Sequence, residues 1–580
     1  MILERRKLPY GIPNFPGIAE EGYVYVDKTP YIQKLEALGE KYIFYLRPRK
    51  FGKSLFISTL EYYYDLKHAD KFERLFGDFY IGRNLTSLHN SYMILLFDFS
   101  GINTETEETT LKGFLEKVKS GIRRFIGNYA DIIGEAEWNS ALSAESPEIA
   151  MSNFLDFVNQ KTDRQIYLLI DEYDHFANEL LAFRIDMFKE LVSRTGFVRK
   201  FYEVLKTGAR NGIIDRMFIT GVTPITLDSL TSGFNICKNL SLRPDFHNML
   251  GFTEEETFEL TGQVCARCGD DHEKVYRQMT DYYNGYRFCE ERSGDGKLFN
   301  PDMVLYYLTE YEARGYPPSN LIDVNVASDY GKIGNLFRLF EFEEGREIIN
   351  SLMEKDTVNG NLTVQFNLER DFERDDFLSL LLYMGFITIE GNVGDEQTFR
   401  MPNYVIKYLY YKYMYDILEQ ELGLRVKVSE LRSTLRELAY EGKIDGLAQM
   451  VEEFLQKVLS NRDLRGFGES HLKVHILTLL HLSRLYYIQS ELEAERGYLD
   501  IFLRERPPFE INYEWVLELK YLRKEELERE LERVKLEGEK QLRSYMEKIR
   551  PQARYPLKGA LMLFTGAGEC AFVKVMSDKL

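Results

Sequence analysis

The run Lys41–Ser54, KYIFYLRPRKFGKS, is the feature that most constrains how this chain can fold. Lys41–Leu46 is apolar and rich in aromatics, as a buried strand is, and from Lys53 to Leu66 apolar residues recur at helical spacing. A strand that passes through Gly-Lys-Ser into a helix aims loop N–H groups and a helix N-terminus at one point, where phosphate oxygens are held. Gly52, Lys53 and Ser54 match the end of the G-x-x-x-x-G-K-[ST] template, and Arg47 stands where the template has its first glycine. On this reading Lys53 reaches the β- and γ-phosphates and Ser54 ligates Mg²⁺, while Arg49, Phe51 and Leu55 complete the segment that touches ATP.

Three further apolar runs, Tyr92–Phe97, Ile166–Ile170 and Met217–Ile219, alternate with helical stretches at Leu111–Ile126, Ile149–Gln160 and Ile185–Leu205. That alternation predicts a parallel sheet covered on both faces, over about residues 1–245. Tyr167–Glu172 (YLLIDE) ends its strand in two carboxylates. Asp171 is expected to support Mg²⁺ through Ser54 and water, and Glu172 to polarise the attacking water. Thr220 is read either as a sensor of the γ-phosphate or as a strand cap. Arg210 and Arg216 are read either as trans-acting fingers or as ordinary surface arginines.

Beyond residue 245 the pattern turns helical. Residues 246–410 read as a helical lid, opening on a capping box at Thr253 and Glu256, followed by a winged-helix-like segment. Residues 411–468 read as a helical linker, and 469–580 as a small α/β unit. Within it Asp500 sits in the run GYLDIFL. Glu518 and Lys520 occupy alternate positions of a predicted strand and so share a face. Asp500 and Glu518 would hold Mg²⁺ or Mn²⁺; the metal and Lys520 would orient water and steady developing phosphate charge. The competing reading is an amphipathic strand with solvated Glu and Lys.

At 580 residues the chain exceeds what a single core supports. Its net charge of −18 argues against a protein that coats nucleic acid, but leaves room for a local basic groove. Five cysteines are too few for a disulfide scaffold, no apolar run reaches membrane-spanning length, and the first residues lack a signal-peptide core; a cytoplasmic protein with no membrane contact is expected. Cys265 and Cys268 form a CxxC, with His272 and Cys289 downstream, but the spacing is no zinc finger. The chain shows neither H-E-x-x-H nor G-x-S-x-G, so metalloprotease and serine hydrolase chemistry are not indicated.

The ordered runs YVDKTPYI, RPRKFGKSL, LLIDEYD, TGVTPI, SGFN, GFTEEE and YNGYRF resemble a bacterial family of AAA-ATPase-like proteins whose C-terminus carries a PD-(D/E)XK nuclease-superfamily domain. The resemblance covers almost the whole chain and makes Arg47 the family's usual loop residue. It implies that Asp27 and Lys28 lie near the nucleotide, and it offers Arg287 as a lid residue. It adds Glu491, nine residues before Asp500 in QSELEAERGYLD, to the nuclease set, and Gln541 and Tyr545 as a Q-x-x-x-Y pair on a helix. One departure is Gly497-Tyr498, where the family commonly has Gly-Arg. The implied function is a Mg²⁺-dependent ATP-binding and ATP-hydrolysing protein coupled to a metal-dependent nuclease of DNA or RNA, in defence or mobile-element biology. The alternative is an ATP-dependent switch whose nuclease-like domain binds a protein or nucleic acid without cutting. Oligomerisation is left open.

Overall fold

The computed structural model describes residues 7–134, 138–183, 196–224, 236–289, 296–323, 343–363, 366, 373–422, 427–459, 468–494, 497–566 and 568–577. SGFN and the first part of the stretch Ile185–Leu205 lie outside them. The chain divides into two compact units, one of residues 1–313, 322–349 and 357–404, the other of 314–321, 350–356 and 405–580.

The first unit is built on a five-stranded sheet: β1 (Tyr42–Leu46), β2 (Met93–Asp98), β3 (Ile166–Asp171), β4 (Ile214–Gly221) and β5 (Lys238–Asn239), in the order β2-β3-β4-β1-β5. Every pairing is parallel. β3 is buried along its whole length, as a strand covered on both faces must be. Of the expected helices, Glu107–Ile133 and Pro147–Lys161 are longer than predicted, and the described part of the third, Phe197–Arg210, runs five residues past Leu205. One face packs its aromatics (Tyr63, Tyr64, Phe76, Tyr167) into a core that also takes in the N-terminal residues Phe15 and Tyr25.

Sheet order is what positions the nucleotide-binding loop. β4 lies between β1 and β3, so the loop after Leu46 and the carboxylates after Ile170 meet across the end of β4, at the C-terminal edge where parallel sheets bind ligands. The remainder of the unit holds the expected helix Glu254–Cys268, whose capping box pairs Thr253 with Glu256. It also contains β6 (Asn284–Tyr286), paired with β7 (Leu298–Phe299). The winged-helix-like segment consists of helix Arg374–Met384 and a three-stranded antiparallel sheet of β8 (Thr357–Gly360), β9 (Thr388–Val393) and β10 (Glu396–Arg400).

In the second unit, helices Val428–Arg436, Asp445–Leu459 and Glu469–His481 precede a mixed sheet. Its strands are β11 (Tyr486–Ala494), β12 (Gly497–Glu505), β13 (Glu514–Leu522), β14 (Leu557–Thr565) and β15 (Cys570–Ser577), in sequential order. Only β13 and β14 run parallel, and the charged helix Leu527–Ile549 makes the crossover between them. Its inner side, Leu542, Tyr545 and Met546, packs on Phe502 and Val516. Among the described residues no helix is long and apolar enough to cross a membrane.

Candidate active sites

In the first unit a cavity of about 360 Å³ opens over the Gly-Lys-Ser loop; Arg49, Phe51, Gly52, Lys53, Ser54, Leu55 and Glu172 all line it. Lys50 and Gly52 have φ of 68° and 89°. Left-handed residues of this kind build the concave, N–H-lined turns that take up anions. Gly52 directly precedes helix Lys53–Tyr64, so the helix's first N–H groups face the same space.

Lys53 is buried, and its ammonium donates to the Arg47 carbonyl at 3.0 Å and the Pro48 carbonyl at 2.9 Å. Burial lowers its pKa, opposed by the negative charges of Glu172 and Asp171. Burial likewise pushes the Asp171 carboxyl up to about 6, against a hydrogen bond from Ser54 and the charge of Lys53. Ser54 and Asp171, the two residues read as Mg²⁺ ligands, are therefore in contact, a pair of hard oxygen donors that fits that ion. Glu172 follows with φ of 47°, a strained conformation for a residue with a side chain. Gly221 is where β4 gives way: a Cβ there would lie 2.1 Å from the Asp174 carboxylate.

Other predicted residues take different places. Thr220 is fully buried and its hydroxyl donates to the Tyr45 carbonyl at 2.7 Å, the geometry of a strand cap. Arg47 is buried as well; it donates to the carbonyls of Leu46, Ser241 and His247, and stacks on Tyr45 and Phe288. It braces the loop where a glycine would leave a gap. Lys28 lines the cavity and pairs with Glu256 at 2.7 Å. Asp27 instead accepts from Thr29 and from the Tyr80 N–H. Arg287 donates to the Glu390 carbonyl on β9. Arg210 is exposed at the end of its helix, and Arg216 sits at the start of β4, the opposite edge of the sheet from the cavity. Sequence reasoning missed His175, which lines the cavity beside Glu172.

In the second unit the register brings the predicted set together. Phe502 pairs with Val516, and two residues along each strand stand Asp500 and Glu518 on the same face. Asp500 accepts from the Leu519 N–H at 2.8 Å. Glu518 is 2% exposed, and its Oε1 pairs with Lys520 at 2.9 Å, while among the described residues Oε2 is buried with no hydrogen-bond partner. Burial and the neighbouring Asp500 charge push the Glu518 carboxyl up to about 7. For Lys520 burial acts downward, but Glu518 and Glu469 together hold its pKa above the ordinary value. Glu469, at the first position of its helix and 3.5 Å from Lys520, was not legible as a member of this group. Tyr545 lies close enough for Glu518 and Asp500 to raise its pKa, after burial, and among the described residues Gln541 Oε1 is buried without a partner.

The backbone of Glu491 lies between the pairs Ser490–Ile501 and Leu492–Leu499, opposite Asp500; its side chain lies outside the described residues. Among the described residues no three His, Cys, Asp or Glu side chains form a metal-holding group. The donors that do gather, Asp500 and the unpartnered oxygen of Glu518, are the hard oxygens suited to Mg²⁺ or Mn²⁺. Cys265, Cys268 and Cys289 form no disulfide among the described residues, and the His272 ring is engaged with the Phe258 carbonyl.

Comparison with known proteins agrees with this division. Residues 9–231 match the family model described as predicted AAA-ATPase, and residues 467–568 match the PD-(D/E)XK nuclease superfamily. The chain thus joins an AAA-ATPase-like domain to a PD-(D/E)XK nuclease-superfamily domain. It is similar, at 25% identity over 331 residues, to a protein of Azotobacter chroococcum described as an uncharacterized protein in the vnfD 5' region; the match spans 56% of each chain. A Walker-type ATPase of Pyrococcus abyssi aligns in structure at 14% identity and a TM-score of 0.36, covering 70% of this chain and 98% of that one.

Proposed function

We propose that the chain is a Mg²⁺-dependent ATPase whose C-terminal domain is a metal-dependent nuclease of DNA or RNA, with nucleotide state governing cleavage. The observation that carries this reading is made twice. Each unit buries a carboxylate beside a lysine and raises its pKa, Asp171 to about 6 and Glu518 to about 7. Carboxylates so placed are costly to ionise unless further positive charge arrives, and perturbed groups of this kind mark chemical sites. In the first unit Lys53 and the loop N–H groups would hold the triphosphate. Glu172 would take a proton from the water that attacks the γ-phosphorus as the bond to ADP breaks. In the second, Lys520 would steady the phosphodiester while Asp500 and Glu518 hold the metal, joined by Glu491. Mg²⁺, when bound, would supply Lewis acidity and lower the pKa of water.

The test is incubation with plasmid, single-stranded DNA and RNA, with Mg²⁺ or Mn²⁺, with and without ATP. Metal-dependent cleavage that changes with nucleotide is expected. Glu172→Gln should bind ATP and fail to hydrolyse it. Absence of cleavage under every condition, with ATP binding retained, would replace the nuclease by a binding module under nucleotide control.

A further inference from the structure

The turn after β3 divides its side chains between two tasks. The His175 N–H donates to the Glu172 carbonyl at 3.1 Å, closing a four-residue turn at the start of helix His175–Phe183. The two middle residues face β4. Tyr173 donates from its hydroxyl to the Thr223 carbonyl at 2.6 Å, and Asp174 accepts from the Val222 and Thr223 N–H groups and the Thr223 hydroxyl. With the middle pair tied down, the outer pair, Glu172 and His175, is left to line the cavity above Lys53. His175 Nε2 stands 3.8 Å from Glu172 Oε2. Among the described residues His175 Nδ1 is buried with no hydrogen-bond partner. A carboxylate facing Nε2 favours the tautomer with its proton there.

From this geometry we infer that His175 is the positioning residue for Glu172. It donates from Nε2 to one carboxylate oxygen and leaves the other to accept the proton of the attacking water. The Glu172 side chain is half-exposed and so has room to rotate across the 3.8 Å gap. The left-handed backbone of Glu172 (φ of 47°) is the cost of turning its side chain back toward its neighbour three residues on. A carboxylate on so tight a turn would otherwise sample several rotamers. Effective general bases are held in one.

The inference rests on the proposed ATPase reading, and a double-mutant cycle separates the two. Wild type, His175→Ala, Glu172→Gln and the double variant are compared for ATP affinity by calorimetry and for kcat and KM of hydrolysis. His175→Ala is expected to lower kcat about tenfold, part of what a well-placed base contributes, with ATP affinity and KM unchanged. In the Glu172→Gln background the same change should cost nothing more, because there is no base left to place. His175→Gln, which restores an N–H donor, should recover most of the lost rate. If Glu172→Gln hydrolyses ATP as fast as wild type, or wild type does not hydrolyse it at all, the ATPase reading falls and the inference with it. If Glu172→Gln is slow but His175→Ala is not, or the two losses multiply, or His175→Ala weakens ATP binding as much as it slows turnover, then His175 does not position Glu172.

Discussion

The guanidinium of Arg47 lies 4.5 Å from the centre of the Phe288 ring, which ties the loop after β1 to the segment following β6. With its hydrogen bonds to the Ser241 and His247 carbonyls, this arginine fills the position that the phosphate-loop template gives to glycine. The template glycine is therefore expected to harm this protein. Arg47→Gly should destabilise the first unit by about 3 kcal/mol, the sum of a buried cation–aromatic stack and carbonyls left without donors. Thermal unfolding with and without ATP checks it; an unchanged Tm would mean that the brace contributes nothing.

Lys53→Ala should weaken ATP binding by about 10- to 100-fold, the range of a charge-assisted hydrogen bond of about 1.5–3 kcal/mol. Its protein partners are the carbonyls of Arg47 and Pro48, six and five residues away, so the loss falls on the loop rather than on the core. Calorimetric titration measures the affinity. Equal affinity in wild type and variant removes the phosphate-loop assignment.

Asp500→Ala and Lys520→Ala should each abolish nucleic-acid cleavage and leave ATP hydrolysis within about twofold of wild type, because neither residue belongs to the unit that carries Lys53 and Glu172. EDTA should stop cleavage, and Mg²⁺ or Mn²⁺ should restore it. Cleavage that persists in both variants would come from another site.

Two histidines of helix Glu469–His481 predict acid sensitivity. Burial lowers the pKa of His475 to about 4 and of His481 to about 3, and both are neutral in the fold. A folded-state pKa below the ordinary value contributes stability that is complete above about 6.5 and is lost as pH falls toward the folded pKa, at about 1.4 kcal/mol per pH unit and group. His481 stacks on Tyr411 with ring centres 4.3 Å apart, so phenylalanine can take its place. His481→Phe should lose less thermal stability than wild type between pH 7 and pH 5. Parallel pH profiles would show that His481 is not titrating on unfolding.

Much of this architecture could be read along the chain because it is written in local patterns. An aromatic strand running into Gly52-Lys53-Ser54, an apolar strand ending in Asp171-Glu172, and the alternation of Glu518 and Lys520 on β13 each need only nearby residues to be legible. β5, β6, β7, β8 and β11 escaped that reading. β5 is two residues long, and β11 carries the polar run Gln489-Ser490-Glu491, whose place in a sheet depends on pairing with β12.

Strand order, and everything that follows from it, belongs to the tertiary structure. Nothing in the spacing of the motifs says that β4 separates β1 from β3, yet that order brings Ser54 to Asp171 and commits Thr220 to the Tyr45 carbonyl. The same holds for Glu469, brought to Lys520 from 51 residues away, and for Arg47, a brace only because Ser241, His247 and Phe288 fold over it. The sequence by itself determined which residues could carry phosphate and metal chemistry, since backbone periodicity and residue type are local properties. Which of them meet, which are spent on the scaffold, and which carboxylates are pushed toward neutral pH were decided by long-range packing, because burial and charge proximity exist only once distant segments are brought together.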